Sequence, residues 1–397
     1  MNRGNIKLNN PERFSGRYEI PHEKVQKAID KALDKLSLKL DLYMDKFPGV
    51  CTQDCRYQLV ENSNWTHGLH TGVFFLAYEL SGDKRFFEVG KNHIASYQKR
   101  LYENINLNDH DVGFVFSPSV VAYHKLTGDE IAKQTAILAA EHLYVDGYSE
   151  KGGFIMRVGR KQHIEPFCRT MMDTLMNIPL FYWAGEQTGN QKFVDAANSQ
   201  VNVTANYLIR EDASSNHHYQ FEVGTHKPLH GVTVQGHRDD STWSRGHSWG
   251  VLGLPIAYTY TGDESLLPLH RDITYYMLNH LPDDYIPYWD YDFTSGDEPR
   301  DSSAAAIAVC GMLEAIRYLP DCAPEKEIYQ TAASRMLESL IDTCATGCGK
   351  EFDGLIYKVT PCKALPEYGI EVCASYGDYF YLEALMRYIN PDWKRYW

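Results

Sequence analysis

Apolar positions recur every three or four residues along most of the chain, with charged residues filling the gaps. In the first clear segment Val25, Ile29, Ala32, Leu36, Leu40 and Tyr43 mark one face, and lysines and aspartates lie between them. That periodicity predicts an amphipathic helix. Roughly twelve such segments follow, beginning near residues 24, 64, 84, 116, 131, 169, 191, 247, 264, 302, 325 and 376.

The joints between segments share one chemistry. ELSGDKRF (79–86), KLTGDE (125–130), EQTGNQKF (186–193) and YTGDES (260–265) each close one apolar run and open another. A glycine there can take a positive φ, and the Asp or Asn after it can cap the next helix. Repeated joints of this type predict α-hairpins. Six hairpins imply an α/α toroid, with inner helices around a cavity and outer helices wrapped about them. A solenoid fits less well, because the joints are unevenly spaced. Long inserts at 147–168, 211–246 and 346–375 break the pattern and hold β-like stretches at Gly153–Val158 and His217–Val223. Inserts of that length between helices tend to be functional or disordered, and these carry too many aromatics for disorder. No linker divides the chain, so residues 1–23 read as an N-terminal extension and 24–397 as a single α/α-barrel domain.

Composition narrows the function. The net charge of −13 argues against nucleic acid or an anionic membrane as partner. It leaves room for a small acidic substrate, since a few local Arg and His residues can invert the field inside a cleft. The N-terminus lacks a secretory signal, and no run approaches a membrane span. An odd count of nine scattered cysteines argues against a disulfide framework and fits a reducing cytoplasm. Cys51 and Cys55, and Cys344 and Cys348, are four apart but lack further partners at zinc-site spacing. The 28 tyrosines and 7 tryptophans supply flat, polar-tipped rings suited to sugars, though most must fill the helical core.

Four constellations could carry chemistry. Asn64-Trp65-Thr66-His67-Gly68 opens a helix, where Asn or Thr could equally be a cap and Trp65 part of the core. Asn108-Asp109-His110-Asp111 precedes an apolar run; it could cap a helix, form a site or hold a metal, but no further ligands at metal spacing are recognisable. Asp173 reads as an aspartate inside an apolar helix with Met172, Leu175 and Met176, either paired with Arg169 four residues earlier or buried with a raised pKa suited to a general acid. His237 to Gly250 places Arg245 between Trp243 and Trp249, which looks like a clamp: Arg for a carboxylate, Trp for a sugar ring.

These strings, in this order, resemble the unsaturated glucuronyl hydrolases, glycoside hydrolase family 88. The similar stretches are NSNWTHGLHTG (62–72), HDVGF (110–114), EKGGF (150–154), the Asp173 segment through AGEQTG (184–189), STWSRGHSWG (241–250), YWDY (288–291), PRDSSAAA (299–306) and YGDYFYLEAL (376–385). The resemblance implies an all-α (α/α)6 barrel with short β insertions. It implies Asp173 as general acid/base, Asp111 as its carboxylate partner, and a sugar site lined by Trp65, His110, His217, Gln235, Trp243, Arg245 and Trp249. The substrates would be unsaturated acidic disaccharides or oligosaccharides left by lyases acting on chondroitin, hyaluronan or heparin. The reaction needs neither metal nor cofactor, and the protein is expected to be a monomer or weak homo-oligomer. His247 stands where relatives often have Gln, and Val234 where some have His.

One loop departs further. Relatives that favour sulfated disaccharides carry a Ser-x-x-Ser-x-Lys spacing before the final helix. The matching segment here is Lys358-Val359-Thr360-Pro361-Cys362-Lys363. It keeps Lys363, puts Lys358 at the first serine and Pro361 at the second, and so points to Lys358 and Lys363 as substrate-binding lysines. Two other activities remain open on the same fold: an unsaturated rhamnogalacturonyl hydrolase acting on pectin fragments, and a non-catalytic sugar-binding protein. An epimerase would be expected to use paired histidines instead.

Overall fold

Helical segments in this chain take one of two roles, set by how their apolar residues are distributed. The computed structural model describes residues 6–158, 167–347 and 351–397. In chain order its helices are α1 (His22–Ser37), α2 (His67–Ser81), α3 (Lys84–Tyr102), α4 (Val112–Phe116), α5 (Ala122–Thr127), α6 (Glu130–His142), α7 (Pro179–Thr188), α8 (Gln191–Val203), α9 (Ser244–Thr261), α10 (Leu266–Asn279), α11 (Ser302–Ile316), α12 (Pro324–Thr343) and α13 (Ser375–Ile389). A π-helical turn, Ser117–Val121, joins α4 to α5 into one bent rod. Pro118 within it carries no amide hydrogen to continue an α-helical ladder.

The rods alternate. α2, α4–α5, α7, α9, α11 and α13 are buried over nearly all of their first three turns, whereas α1, α3, α6, α8, α10 and α12 bury a single face. Helices apolar on every side must lie inside. α2 packs on α13 at the closing seam and on α4; α4 meets α7, α7 meets α9, α9 meets α11 and α11 meets α13, which completes an inner ring. The outer helices cover it. This is the all-α (α/α)6 barrel expected from the hairpin pattern.

The predicted joints form as their chemistry requires. Gly82, Gly128, Gly189 and Gly262 take φ between 64 and 73°. Asp83, Asp129 and Asn190 then cap α3, α6 and α8 through their side chains. Asp263 differs, accepting the Ser265 amide at 2.9 Å in a turn just before α10.

The inner ring closes at glycines. A Cβ built on Gly68 of α2 would lie 2.2 Å from the Val115 carbonyl oxygen of α4. One on Gly113 of α4 would lie 2.3 Å from Asn177 Cα, and one on Gly311 of α11 would lie 2.4 Å from the Val251 oxygen of α9. Neighbouring backbones therefore touch where a side chain would normally intervene.

Short strands occupy the inserts. β1 (Phe47–Pro48) pairs with β2 (Leu59–Val60), and β3 (Tyr148–Ser149) with β4 (Phe154–Ile155). β5 (Phe167–Met171), β6 (His218–Glu222) and β7 (Pro228–Val232) form an antiparallel sheet with Met171 opposite His218. β4 and β6 fall within the two stretches expected to be extended. One expectation fails: the helix predicted near residue 169 is strand β5 followed by a 3-10 turn, Met172–Met176, and α7 starts only at Pro179. An apolar run this short has no periodicity that separates strand from helix, and the pairing with β6 decides. Arg169 therefore sits on a strand, not one helical turn before Asp173.

The N-terminal extension lies against the barrel: Phe14 is buried, and Arg13 Nη1 donates to the Leu281 carbonyl at 2.7 Å. The eight described cysteines are free thiols, and Cys348 lies outside the described residues, as do parts of the 147–168 and 346–375 inserts. Among the described residues no helix is long and apolar enough to cross a membrane.

The ring geometry predicts a stability effect away from any chemistry. Gly311→Ala pushes a methyl into the α9 backbone and should cost about 1–3 kcal/mol, read as a fall in the urea unfolding midpoint.

Candidate active site

The first residues of the inner helices converge on a cavity of about 400 Å³. Trp65 lies just ahead of α2, Asp111 caps α4, Asp173 sits in the 3-10 turn ahead of α7, Trp243 caps α9 and Tyr376 opens α13. Residues distant in sequence thus meet because parallel rods start at one rim. Eight of the eleven residues singled out from sequence line this cavity: Trp65, His110, Asp111, Asp173, Gln235, Trp243, Arg245 and Trp249.

Two carboxyl groups and an imidazole form its floor. His110 Nε2 is 3.1 Å from Asp111 Oδ1, while Nδ1 faces Asp109 Oδ1. Burial alone would pull the His110 pKa down, but Asp111 and Asp109 outweigh it and push it up to about 10. Asp111 rises to about 7; burial is the main cause, Asp109 and Asp173 add to it, and His110 opposes it. Asp173 is also raised by burial, with His110 and Arg245 pulling the other way. Burial raises both carboxyls, and of the two Asp111 is the one in direct contact with the His110 ring.

Asn177 ties this floor together. Its side-chain oxygen accepts the Phe114 amide at 3.0 Å and its amide donates to the Asp173 carbonyl at 3.1 Å. The turn that carries Asp173 is thereby fixed to the first turn of α4.

Arg245 departs from the clamp expected of it. Its guanidinium is buried against Asp301, with further bonds from Nη1 to the Thr360 carbonyl (3.2 Å) and from Nη2 to the Pro361 carbonyl (2.5 Å). It is also sandwiched, 4.5 Å from the Trp243 ring and 4.9 Å from Tyr376. Its charge is already answered by Asp301, so it anchors the 358–362 loop to α9. The tryptophans divide as well. Trp243 and Trp249 are only 3% and 1% exposed. Trp243 faces Arg245 and His217, and Trp249 packs on Phe114 and Phe380. Trp65 alone of the three is partly open, stacked on Tyr376 with centroids 5.3 Å apart. Among the described residues, the indole N–H groups of Trp243 and Trp249, and Asp173 Oδ2, find no hydrogen-bond partner. Buried polar groups in that state are costly unless a ligand takes them up.

Three sequence-predicted residues lie outside the lining. His217 is buried behind it, its Nδ1 receiving the Val234 and Gln235 amides at 3.3 and 3.4 Å. Burial keeps it neutral, so it shapes the 233–235 turn. Lys358 lies 5.5 Å from the Tyr357 ring, and its carbonyl accepts the Ser302 amide. Lys363 pairs with Glu298 and sits 5.3 Å from the Trp289 ring, although its neighbours Cys362 and Leu365 do line the cavity. His247 is structural, bonded to Ser215 Oγ and the Ile273 carbonyl. The lining also brings in Asn64, Asp109, Arg157, His218 and Tyr376. Most of these lie within or beside the motifs quoted from sequence, where only register in the folded chain distinguishes them from their neighbours.

Asp109, His110 and Asp111 could together present ligand atoms within 4.8 Å of one another. Both ring nitrogens of His110 already face carboxylates, however, so protons hold the positions a metal ion would need.

The family model described as Glycosyl Hydrolase Family 88 matches residues 40–386. A curated relative from Streptococcus pneumoniae, named unsaturated chondroitin disaccharide hydrolase, is 41% identical, covering 98% of both chains. Among solved structures, an unsaturated glucuronyl hydrolase from Streptococcus agalactiae superposes with a TM-score of 0.93 at 37% identity, covering 100% of this chain and 99% of that one. An aspartate-to-asparagine variant from the same organism, in complex with dGlcA-GalNAc6S, has a TM-score of 0.87 at 34% identity over the full length of both chains.

The buried ion pair gives a measurable consequence. Asp301→Ala leaves the Arg245 guanidinium uncompensated in the wall and should destabilise the protein by about 3–5 kcal/mol, measured by urea unfolding.

Proposed function

This chain belongs to Glycosyl Hydrolase Family 88, and from that membership we propose which of its residues perform the reaction: Asp173 as proton donor and then base, Asp111 as its ionised partner. The protein is a glycoside hydrolase that releases a 4,5-unsaturated uronic acid from the non-reducing end of glycosaminoglycan oligosaccharides. The observation that supports the residue roles is that Asp111 and Asp173, both buried and both raised, line one cavity with Trp65, Trp243 and Trp249, and that Asp111 is held by the His110 imidazolium.

An ordinary glycosidase protonates the leaving oxygen and uses a second carboxylate as base or nucleophile. The unsaturated sugar offers another route, because its C4=C5 bond is an enol ether. Protonated Asp173 donates to C4, which places an oxocarbenium ion at C5. The Asp173 carboxylate then takes a proton from water as the oxygen bonds to C5. The hemiketal so formed opens and releases the rest of the oligosaccharide, and Asp173 is again protonated. Asp111, held by His110, contributes negative charge beside the developing cation. Trp65 carries the ring, and the indole N–H groups of Trp243 and Trp249 are donors available to substrate oxygens.

Asp173→Asn should cut turnover by a factor of ~10² or more, the scale of a lost general acid–base group, with the fold intact by circular dichroism. In D₂O the parent enzyme should place deuterium at C4 of the released sugar, and a saturated glucuronide should be inert. Turnover near the parental rate in Asp173→Asn, or equal hydrolysis of the saturated glucuronide, would remove this assignment.

The sulfate preference is a finer question, and of the two lysines Lys363 is the one adjoining the cavity. We assign it to the outer sugar, where its ammonium acts as a point charge for a sulfate. Lys363→Ala should lower the ratio of kcat/KM for sulfated over unsulfated unsaturated chondroitin disaccharides. An unchanged ratio would exclude it.

A further inference from the structure

The segment that leads into α4 holds a third carboxylate. Asp109 Oδ1 faces His110 Nδ1 and also accepts the His110 backbone amide at 2.7 Å. One carboxylate thus grips both the ring and the main chain of its neighbour. Asp111 Oδ1 stands 3.1 Å from the opposite nitrogen, Nε2. A neutral imidazole has one N–H and one lone pair. Set between two carboxylates, it would turn that lone pair toward an anionic oxygen, and only the doubly protonated ring donates to both.

The rest of the surroundings agree with a charged ring. The Arg157 carbonyl, 3.1 Å from Nδ1, is a further acceptor on the Asp109 side. The charged or titratable groups near the ring from other elements are Asp173 in the 3-10 turn, Arg157 after β4, Arg169 on β5, His217 and His218 at the start of β6, and Arg245 on α9. Burial holds both of these histidines neutral. Arg245 is answered by Asp301. The Asp109 side chain is itself 47% exposed and borders the cavity, so its place is not explained by filling the core.

We propose that Asp109 is a positioning residue for the reaction: it holds His110 through Nδ1, keeping the ring charged and turned so that Nε2 donates to Asp111. This rests on the roles given above to Asp111 and Asp173. With the imidazolium fixed, Asp111 stays ionised and Asp173 is left as the proton donor. Without Asp109, the ring has only the Arg157 carbonyl on its Nδ1 side and loses its proton more readily as pH rises.

The test is the pH profile of kcat/KM on an unsaturated chondroitin disaccharide, for folded variants checked by thermal unfolding. Asp109→Asn keeps the shape and removes the charge. Its alkaline limb should move to lower pH by about one unit or more, the usual effect of losing an adjacent opposite charge. Asp109→Ser should show the same displacement, and Asp109→Glu should keep the parental limb. An unmoved limb in Asp109→Asn and Asp109→Ser overturns the proposal, whether activity is unchanged or reduced equally at every pH. Failure of the underlying assignment shows separately, as turnover retained by Asp173→Asn, because the Asp109 series keeps Asp173 in place.

Discussion

Backbone contact between the inner helices is the constraint on which the rest depends. Gly68, Gly113 and Gly311 let rods approach until the carbonyl or Cα of one occupies the space of the missing Cβ of the next. A ring drawn in this far brings the helix starts within reach of one small sugar. Asp111 and Asp173 can share one charge environment because Gly113 abuts Asn177, and Asn177 bonds both to the amide of Phe114 and to the Asp173 carbonyl. The chemistry is therefore built on main-chain packing before any side chain is placed.

Electrostatics at the floor then follow from burial and pairing. Each carboxyl taken from water is raised toward neutrality, and the imidazolium lowers the cost for one of them more than for the other. Two similar residues thereby meet different surroundings, the condition under which paired carboxyls can divide acid and base work. The wall uses the opposite device. Arg245 is kept charged but matched by Asp301, and it spends its remaining hydrogen bonds on backbone carbonyls of the 358–362 loop. Breaking such a pair is expensive because one charge is left behind.

Much of this was legible in the sequence. Helical periodicity and the four glycine joints gave the barrel, since both are local signals with local physical causes. The cavity residues Trp65, His110, Asp111, Asp173, Gln235, Trp243, Arg245 and Trp249 were also within reach, because ordered motifs carried them. What stayed hidden depends on partners far along the chain. β5 reads as helix until β6, some fifty residues later, supplies its pairing. Arg245 reads as a substrate clamp until Asp301, fifty-six positions away, claims it. Trp243 and Trp249 read as stacking platforms until Arg245, Phe114 and Phe380 cover their faces. Lys358 reads as a binding residue because its loop matches by spacing, whereas its place beside Tyr357 is set by the fold.

The pairing of Arg245 with Asp301 also bears on how substrate arrives. The chain carries a net charge of −13, and this buried guanidinium adds no field beyond the wall that holds it. An anionic disaccharide approaching from solution meets a like-charged chain, and the repulsion is felt once the two lie within a Debye length, about 8 Å at physiological ionic strength. The net charge therefore offers such a substrate none of the long-range attraction that speeds many enzymes of charged substrates. Added salt screens the approach, so productive collisions become more frequent as ionic strength rises, and discrimination for the uronate begins only once the sugar is inside the ring.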